Sequence, residues 1–425
     1  MAERPGRRRV LTASKPSKPS SPWSELLMSN YGVPPVEFVK GSGSRLWDAD
    51  GKEYLDFLGG LAVTSLGHAH PAVAEAVSLQ ARTLVHVSNL FGTQPVLDVA
   101  ATLDTLIGDG SPAGGRLFFA NSGAEANEAA IKLARRHAGG IVPTGDGGWA
   151  GRYKIVAAHD GFHGRTMAAL AATGQPAKQE PFLPLPDGFL HVAWNDLDAL
   201  DAAIDDSVAA LLLEPIQGEA GVNPASRDYF RGARRLTEER GALFMVDEVQ
   251  TGLGRTGRWF GFQHHDVEPD VVTMAKALGN GVPIGACWAR ADVADSFRPG
   301  DHGSTFGGQP LAAAAARAVL EVMQAEDVPG RALRAGAALT ARLEALPQVV
   351  AVRGSGLLLG AELRGLDARE VAAACLAAGL VVNGVTGTAL RLAPSLLVSD
   401  DEIDQAVGIL AVVLAAAGSG DGEER

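Results

Sequence analysis

Short apolar runs alternate with longer amphipathic stretches through the middle of the chain. The two clearest runs are Ala242–Val246 and Val271–Ala275. Runs of this length, apolar almost throughout, are typical of strands buried on both faces of a parallel sheet. Helical and strand patterns continue to alternate from Pro71 to about Gln309. This alternation predicts an α/β fold with a doubly wound, mostly parallel sheet.

The pattern changes on both sides of this region. Three short runs between residues 37 and 57, with a turn at Asp50–Gly51, predict a small antiparallel unit. After Pro310, alanine-rich helical stretches precede short strands and a last helix, which predicts a smaller α+β domain. We therefore expect a disordered basic tail at 1–22, an N-terminal segment joining the small domain at 23–70, a large domain at 71–310, a C-terminal small domain at 311–417 and a tail at 418–425.

Composition narrows the class of protein. The 425 residues are 46% hydrophobic and 20% charged, with a formal net charge of −12, so we expect neither nucleic acid nor a membrane as a partner. The two cysteines, Cys287 and Cys375, lie in apolar surroundings, and no thiolate metal site is predicted. Small buried thiols favour a cytoplasmic location. The basic tail lacks the apolar core of a secretory signal, and its prolines oppose the amphipathic helix of a transit peptide.

Both central runs end in a charged side chain. Asp247 follows the first run, and Lys276 follows the second. Because the carboxyl ends of parallel strands meet at one edge of a sheet, these side chains should face the same crevice. A carboxylate there requires a partner, for which a pyridinium nitrogen is suitable. A desolvated lysine acts as an amine nucleophile and base, although Lys276 taken alone also fits a solvated surface residue.

A strand at Arg116–Ala120 runs into a predicted helix. Ser122 as the N-cap, with Glu125 three residues later, matches a capping box. The first-turn amides and the helix dipole favour an anion, and Gly123 permits its close approach to the backbone. A capped helix without a ligand explains the same residues.

A third strand-to-helix turn carries Phe162 and Arg165. An aromatic ring at this position could stack on a flat heterocycle, and an arginine there could bind a carboxylate through two hydrogen bonds. The alternatives are a hydrophobic staple and a surface salt bridge, and we interpret His163 as structural. Further along the chain, Arg391 lies inside an apolar strand and requires an anion, for which Glu219 is a candidate.

The chain resembles a known family in several segments, which are NSGAEANEAAIKLAR, FHGRT, LEPIQGEAG, DEVQTGLGRTG, the Lys276 segment, GSTFGGQP and LRLAPSL. Together they are similar to the class III, pyridoxal-phosphate-dependent aminotransferases, and within these to acetylornithine aminotransferases. The resemblance extends from about Met28 to Leu414. It implies the fold-type I architecture, with a large domain and a smaller α+β domain.

The resemblance also implies residue roles. Lys276 would carry the covalent link to pyridoxal 5'-phosphate, Asp247 would hold the pyridine nitrogen, and Gln250 would contact the phenolic oxygen. The other cofactor contacts would come from Ser122, Gly123, Ala124, Phe162, Val249 and Thr305, the last of these from a neighbouring subunit of a homodimer. Substrate carboxylates would be bound by Arg165, Ser304 and Arg391, with Glu219 pairing with Arg391. No metal site is implied.

The implied reaction is ping-pong transamination between N2-acetyl-L-ornithine and 2-oxoglutarate, giving N-acetylglutamate 5-semialdehyde and glutamate, a step of arginine biosynthesis. Ornithine, 4-aminobutyrate and succinyl-diaminopimelate stay open as amino donors, and a catalytically silent scaffold is the non-enzyme alternative. The segment Gly59–Thr64 lacks the tyrosine of ornithine aminotransferases, which counts against ornithine. Gln309, Thr64 and Gly92 depart from the family pattern, and none of them is implied to contact the cofactor.

Overall fold

The computed structural model describes residues 22–139, 142–144 and 149–419. The predicted tails fall almost wholly outside these residues. The strands β1 to β19 span, in order, Phe38–Ser42, Arg45–Asp48, Glu53–Asp56, Gly115–Ala120, Val142–Pro143, Trp149–Ala150, Lys154–Ala158, Phe189–Val192, Val208–Leu213, Ile216–Gln217, Asn223–Pro224, Leu243–Asp247, Val271–Met274, Gly285–Arg290, Val349–Ser355, Leu358–Leu363, Leu380–Val381, Asn383–Gly384 and Ala389–Leu392.

The helices α1 to α14 span, in order, Pro22–Leu26, Gly59–Ala62, Pro71–Thr83, Gln94–Ile107, Gly123–His137, Met167–Ala172, Pro176–Gln179, Leu197–Ala203, Arg227–Arg240, Ala291–Ala294, Pro310–Ala325, Val328–Glu344, Ala368–Ala377 and Asp400–Ser419. Short 3-10 turns lie at Glu180–Phe182, Gly218–Ala220, Gly261–His265 and Lys276–Gly279. Among the described residues, no helix combines the length and the apolar character that crossing a membrane requires.

The large sheet has the strand order β4-β14-β13-β12-β9-β7-β8. Strand β14 runs antiparallel to both of its neighbours, whereas β13, β12, β9, β7 and β8 pair in parallel. The sheet is therefore mostly parallel, and the predicted α/β class is confirmed. The carboxyl ends of β9, β12 and β13 meet at one edge of the sheet, where ligands bind in open parallel sheets.

The two central runs are apolar because both faces of their strands are buried. Along β12, Leu243 and Met245 pack into a core that includes the apolar face of α5. Phe244 and Val246 point the other way, into a larger core shared with α4, α9 and α11. Successive side chains of a strand alternate between its faces, so a strand between two cores has no position for a solvated side chain.

A second sheet, β15-β16-β19-β18, is antiparallel and contacts α12 and α13. The N-terminal strands form a third sheet, β1-β2-β3-β17, in which Leu380 of β17 pairs in parallel with Leu55 of β3. Residues from the two ends of the chain therefore share one sheet. The division into domains stays a prediction.

Several elements were not anticipated, among them β8, β14 and α13. Strand β14 contains small residues beside Trp288, and α13 is a short alanine-rich helix inside the small-domain sequence. Small residues give a weak apolar signal, so neither β14 nor α13 has a strong apolar period of its own. The last helix extends to Ser419, beyond its predicted end near Ala416.

Candidate active site

A cleft of about 360 Å³ opens at the carboxyl edge of the large sheet. It is lined by most of the predicted site residues, namely Ser122, Gly123, Ala124, Phe162, Arg165, Glu219, Asp247, Val249, Gln250 and Lys276. A larger cavity of about 530 Å³ lies elsewhere, and none of the predicted site residues lines it. The cleft therefore brings together residues that are distant along the chain. Ser122 and Lys276, for example, are 154 positions apart.

Asp247 ends β12 and is buried at the floor of the cleft. Its Oδ2 accepts a hydrogen bond from Asn127 Nδ2 at 2.8 Å and lies 2.9 Å from His163 Nδ1. Its Oδ1 accepts the amide of Val249 at 3.0 Å. Thr273 in turn donates to Asn127 Oδ1 at 2.7 Å. The carboxylate is thus held in one orientation on three sides.

His163 is a site residue whose role the sequence did not reveal. It is 3% exposed and contacts Asp247 directly. Burial opposes its protonation, but the hydrogen bond and the charge of Asp247 outweigh burial and raise the pKa of the imidazole. Asn127 was missed as well, because its position inside α5 resembles that of any polar helix residue. The two side chains keep the Asp247 carboxylate oriented.

Lys276 follows β13 and starts a short 3-10 turn. Its φ angle is 43°, a left-handed value that a lysine rarely adopts. Burial and the nearby charge of Arg391 lower the pKa of its ammonium to about 8, although Glu219, Asp247 and Glu214 act in the opposite direction. A substantial fraction of the amine is therefore neutral near pH 8, which suits a nucleophile or a base.

The turn before α5 presents backbone amides to the cleft. Ser122 Oγ accepts the amide of Glu125 at 3.2 Å, as predicted for an N-cap. The Glu125 carboxylate accepts the amide of Asn121 at 2.6 Å, so the capping box closes on the residue before the N-cap. Gly123 and Ala124 are the first helical residues, whose amides precede the intrahelical bonds. A Cβ at Gly123 would lie 2.7 Å from Val249 Cγ1, so glycine permits this close packing.

Phe162 is half-buried at the rim of the cleft, and its amide donates to Glu214 Oε2 at 3.0 Å. Arg165 is exposed, with its guanidinium carbon 5.7 Å from the centre of the Phe162 ring. Burial and the charge of Asp247 raise the pKa of Glu214 to about 8, against the influence of His163 and Lys276. Glu214 was missed by the sequence reasoning, although it ends the apolar run of β9 just as Asp247 ends β12.

Glu219 lines the cleft, whereas Arg391 does not line it and is in contact with the Glu219 carboxylate. Arg391 is 1% exposed, and its Nε donates to Asn383 Oδ1 at 3.2 Å. Burial disfavours the Glu219 carboxylate, but Arg391, Lys276 and Lys178 outweigh that effect and lower its pKa. The buried Nη2 of Arg391 has no hydrogen-bond partner among the described residues. A donor left unpaired beside the cleft is suited to an anionic ligand.

Ser304 and Thr305 do not line the cleft of their own chain. Ser304 Oγ accepts hydrogen bonds from Asn121 Nδ2 at 3.1 Å and from the amide of Gly307 at 3.0 Å. Thr305 is exposed and borders a separate small pocket with His86 and Ser88. Across the described chain, no group of three or more His, Cys, Asp or Glu residues is arranged to hold a metal ion.

The donor set of the cleft fits pyridoxal phosphate. An amine with a lowered pKa, an oriented carboxylate, an aromatic ring and a helix N-terminus suit the aldehyde, pyridine nitrogen, ring and phosphate of that molecule. Glycine at the helix start permits the close packing of Val249, which lines the same cleft.

The sequence model of the family described as "Aminotransferase class-III" matches residues 27–414. Among curated relatives, the acetylornithine aminotransferase of Corynebacterium efficiens is 50% identical over 403 residues, which cover 92% of this chain and 96% of that protein. The acetylornithine aminotransferase of Mycobacterium tuberculosis is 49% identical over 394 residues, covering 92% and 95%.

Solved structures of aminotransferases are also similar to this chain. The ornithine aminotransferase of Toxoplasma gondii has a TM-score of 0.87 and 35% identity, covering 94% of each chain. A second structure of that enzyme is described as having partial occupancy of PLP at the active site. The acetylornithine aminotransferase of Elizabethkingia anophelis has a TM-score of 0.79 and 31% identity, covering 93% of this chain and 97% of that one. The chain belongs to the class III aminotransferases, a family of enzymes that depend on pyridoxal phosphate.

Proposed function

We propose that this enzyme transfers the δ-amino group of N2-acetyl-L-ornithine to 2-oxoglutarate, giving N-acetylglutamate 5-semialdehyde and glutamate. The observation that carries the proposal is the contact of Glu219 with buried Arg391 beside Lys276. The names of relatives about half identical over nearly the whole chain support it. The reaction is a step of arginine biosynthesis, and the buried, unpaired Cys287 and Cys375 fit a cytoplasmic location.

When bound, the cofactor supplies an electron sink for the carbon that carries the amino group. Asp247, oriented by Asn127 and His163, would hold the pyridine nitrogen in its protonated form. Phe162 would pack on the ring, and Gln250 would contact the phenolic oxygen. The phosphate end and the ring edge would be bound by Ser122, Gly123, Ala124 and Val249.

Lys276 has two roles in this proposal. Its neutral amine would hold the cofactor covalently in the resting enzyme, for which the lowered pKa is suited. Once released by the substrate amine, Nζ would accept the proton that leaves the substrate carbon and would return it later in the same half-reaction. Both half-reactions use this one amine in one cleft, so ping-pong kinetics follow.

The Glu219–Arg391 pair distinguishes the two substrates. With acetylornithine in the cleft, Glu219 stays on Arg391 and neutralises it. With 2-oxoglutarate or glutamate, Glu219 withdraws, and Arg391 binds the carboxylate next to the reacting carbon. Arg165, helped by Ser304, binds the second carboxylate in both cases. The free Nη2 of Arg391 supports this arrangement.

A homodimer with shared active sites is part of the proposal. Thr305 is exposed outside the cleft of its own chain, so it reaches a phosphate only in a neighbouring copy. Three large apolar side chains nearby in sequence or structure are also exposed, with Leu90 at 86%, Phe91 at 69% and Phe306 at 55%. Exposed apolar groups of this size are typical of a covered interface.

Ornithine is the second candidate donor, because the Toxoplasma gondii enzyme with the TM-score of 0.87 is an ornithine aminotransferase. The two are separated by a half-reaction panel. The holoenzyme is mixed in turn with acetylornithine, ornithine, 4-aminobutyrate and succinyl-diaminopimelate, and the loss of the visible cofactor absorbance is followed. We expect acetylornithine to react with the highest rate constant per molar concentration. A faster reaction with any of the other three contradicts the proposed donor.

A further inference from the structure

A second cation lies beside Arg165 at the rim of the cleft. Lys178 belongs to α7, and its Nζ is 5.2 Å from the centre of the Phe162 ring. The guanidinium carbon of Arg165 is 5.7 Å from the same ring centre. Phe162 and Arg165 both line the cleft. Lys178 is not itself among the residues that line the cleft, but its charge and that of Arg165 both lie near the same ring.

Neither cation has a carboxylate partner within salt-bridge distance in residues 22–139, 142–144 or 149–419. Lys178 Nζ donates a hydrogen bond to the neutral Gln175. Burial and the charge of Arg165 lower the pKa of Lys178, while the cleft residues Glu219 and Glu214 act in the opposite direction. The ammonium of Lys178 is therefore within electrostatic range of the cleft carboxylates. Its positive charge lies near that of Arg165 and is not neutralised by a salt bridge.

Beside the cleft, Arg391 forms an ion pair with Glu219, so their charges cancel. An excess of positive charge therefore remains at the rim, on Arg165 and Lys178. A partly desolvated pair of like charges is unfavourable until an anion lies between them. Acetylornithine and glutamate each carry a carboxylate several bonds away from the amine that reacts, and Arg165, helped by Ser304, is expected to bind it.

We propose that Lys178 is a specificity-determining residue that binds, together with Arg165, the substrate carboxylate remote from the reacting amine. The inference rests on the proposed function for the identity of the donor. It assigns to the short helix α7 the task of distinguishing amino acids from plain amines. No covalent step involves Lys178.

The test compares two donors that differ by one carboxylate. N2-acetylornithine and N-acetyl-1,4-diaminobutane have the same reacting amine and the same acetamide, but the second has no carboxylate. Half-reaction rate constants are measured for both with the holoenzyme of the wild type, Lys178→Met and Lys178→Arg. A hydrogen bond to a charged group lost in Lys178→Met should lower the kcat/KM for acetylornithine by about tenfold or more. The value for the diamine should change by less than about twofold, and Lys178→Arg should keep most of the discrimination.

A matched control removes another lysine that lies over an aromatic ring. Lys40 Nζ is 4.7 Å from the ring centre of Trp47 in the N-terminal unit, so Lys40→Met deletes a similar contact outside the cleft and should change neither rate. The dissociation constant of the cofactor, measured by equilibrium dialysis, reports whether Lys178→Met has merely displaced Phe162.

Equal losses for both donors, or an unchanged rate for acetylornithine, overturn the role of Lys178. Weakened cofactor binding that accounts for the whole loss also overturns it, because the lysine then only supports Phe162. Failure of the proposed function is recognised separately, since the wild-type enzyme would then prefer a different donor before any variant is compared.

Discussion

At the carboxyl end of β13, Lys276 combines a left-handed backbone with an amine in a desolvated cleft. Both features oppose folding, and neither improves packing. Such costs persist at a position when the surrounding structure holds it and the function uses it. Removing the amine should therefore stabilise the protein while abolishing its chemistry.

We expect Lys276→Met to raise the free energy of unfolding of the cofactor-free protein at pH 7 by roughly 1 to 3 kcal/mol and to abolish transamination. The folded-state pKa of about 8 lies below the unfolded value of 10.5, so the folded protein binds fewer protons between these values. Wild-type stability should rise with pH across this window, and the advantage of the variant should shrink. Denaturant unfolding at pH 7 and pH 10 measures this, with exposed Lys40→Met as the control. A variant less stable than wild type at pH 7 contradicts the argument.

A second residue-scale prediction concerns Glu219. Glu219→Ala leaves the buried charge of Arg391 without its carboxylate partner, so an oxo acid or glutamate gains relative to acetylornithine. We expect the ratio of the glutamate to the acetylornithine half-reaction rate to rise at least about fivefold, in line with the cost of leaving a charge unpaired. Rapid-mixing measurements with each donor give the ratio, and Glu219→Gln separates the charge from the shape. An unchanged ratio would rule out the switch.

At the scale of elements, the site is built from strand ends and helix starts. Strands β9, β12 and β13 end in or just before Glu214, Asp247 and Lys276. Their length and apolar character could be read from the sequence, because both faces are buried. Strand β14 and helix α13 could not, since their burial depends on neighbours distant along the chain.

Two substitutions of Ser122, at the start of α5, distinguish a structural role of this turn from a ligand-binding role. Ser122→Ala loses the cap of the Glu125 amide and should lower the free energy of unfolding by about 1 kcal/mol. Ser122→Asp keeps a capping oxygen but adds a negative charge where the phosphate is proposed to bind. It should retain the stability of the cofactor-free protein and bind the cofactor at least about tenfold more weakly. Thermal unfolding and equilibrium dialysis measure the two quantities, and unweakened cofactor binding in Ser122→Asp would place the phosphate elsewhere.

At the scale of the whole molecule, the two ends of the chain are joined around the site. Strand β17 pairs with β3, and buried Arg255 donates to the carbonyls of Leu357 and Pro394 and to Ser65 Oγ at 2.6 to 3.1 Å. Arg255 thereby connects three distant segments through neutral acceptors, and burial lowers its pKa.

The proposed homodimer predicts that two inactive variants restore activity when they assemble into one dimer. If Thr305 acts across the interface, then Lys276→Ala on one subunit and Thr305→Asp on the other damage the same site of a mixed dimer, and its second site is intact. Two inactive variants, co-expressed and assembled at random, should recover about a quarter of the wild-type activity. The separately purified variants are the control. If the co-expressed protein is no more active than they are, Thr305 acts within its own chain.

The sequence by itself indicated the reaction type, because the segments that resemble the class III aminotransferases are local. Buried runs predicted the parallel strands, and a charged residue after each run marked Asp247 and Lys276. Only the tertiary structure decided which side chains meet them. The contacts of Asp247 with His163 and Asn127, and of Lys178 with the Phe162 ring, join residues whose separation along the chain carries no signal of contact. A pattern records how one element is buried, whereas a site depends on how several elements pack together.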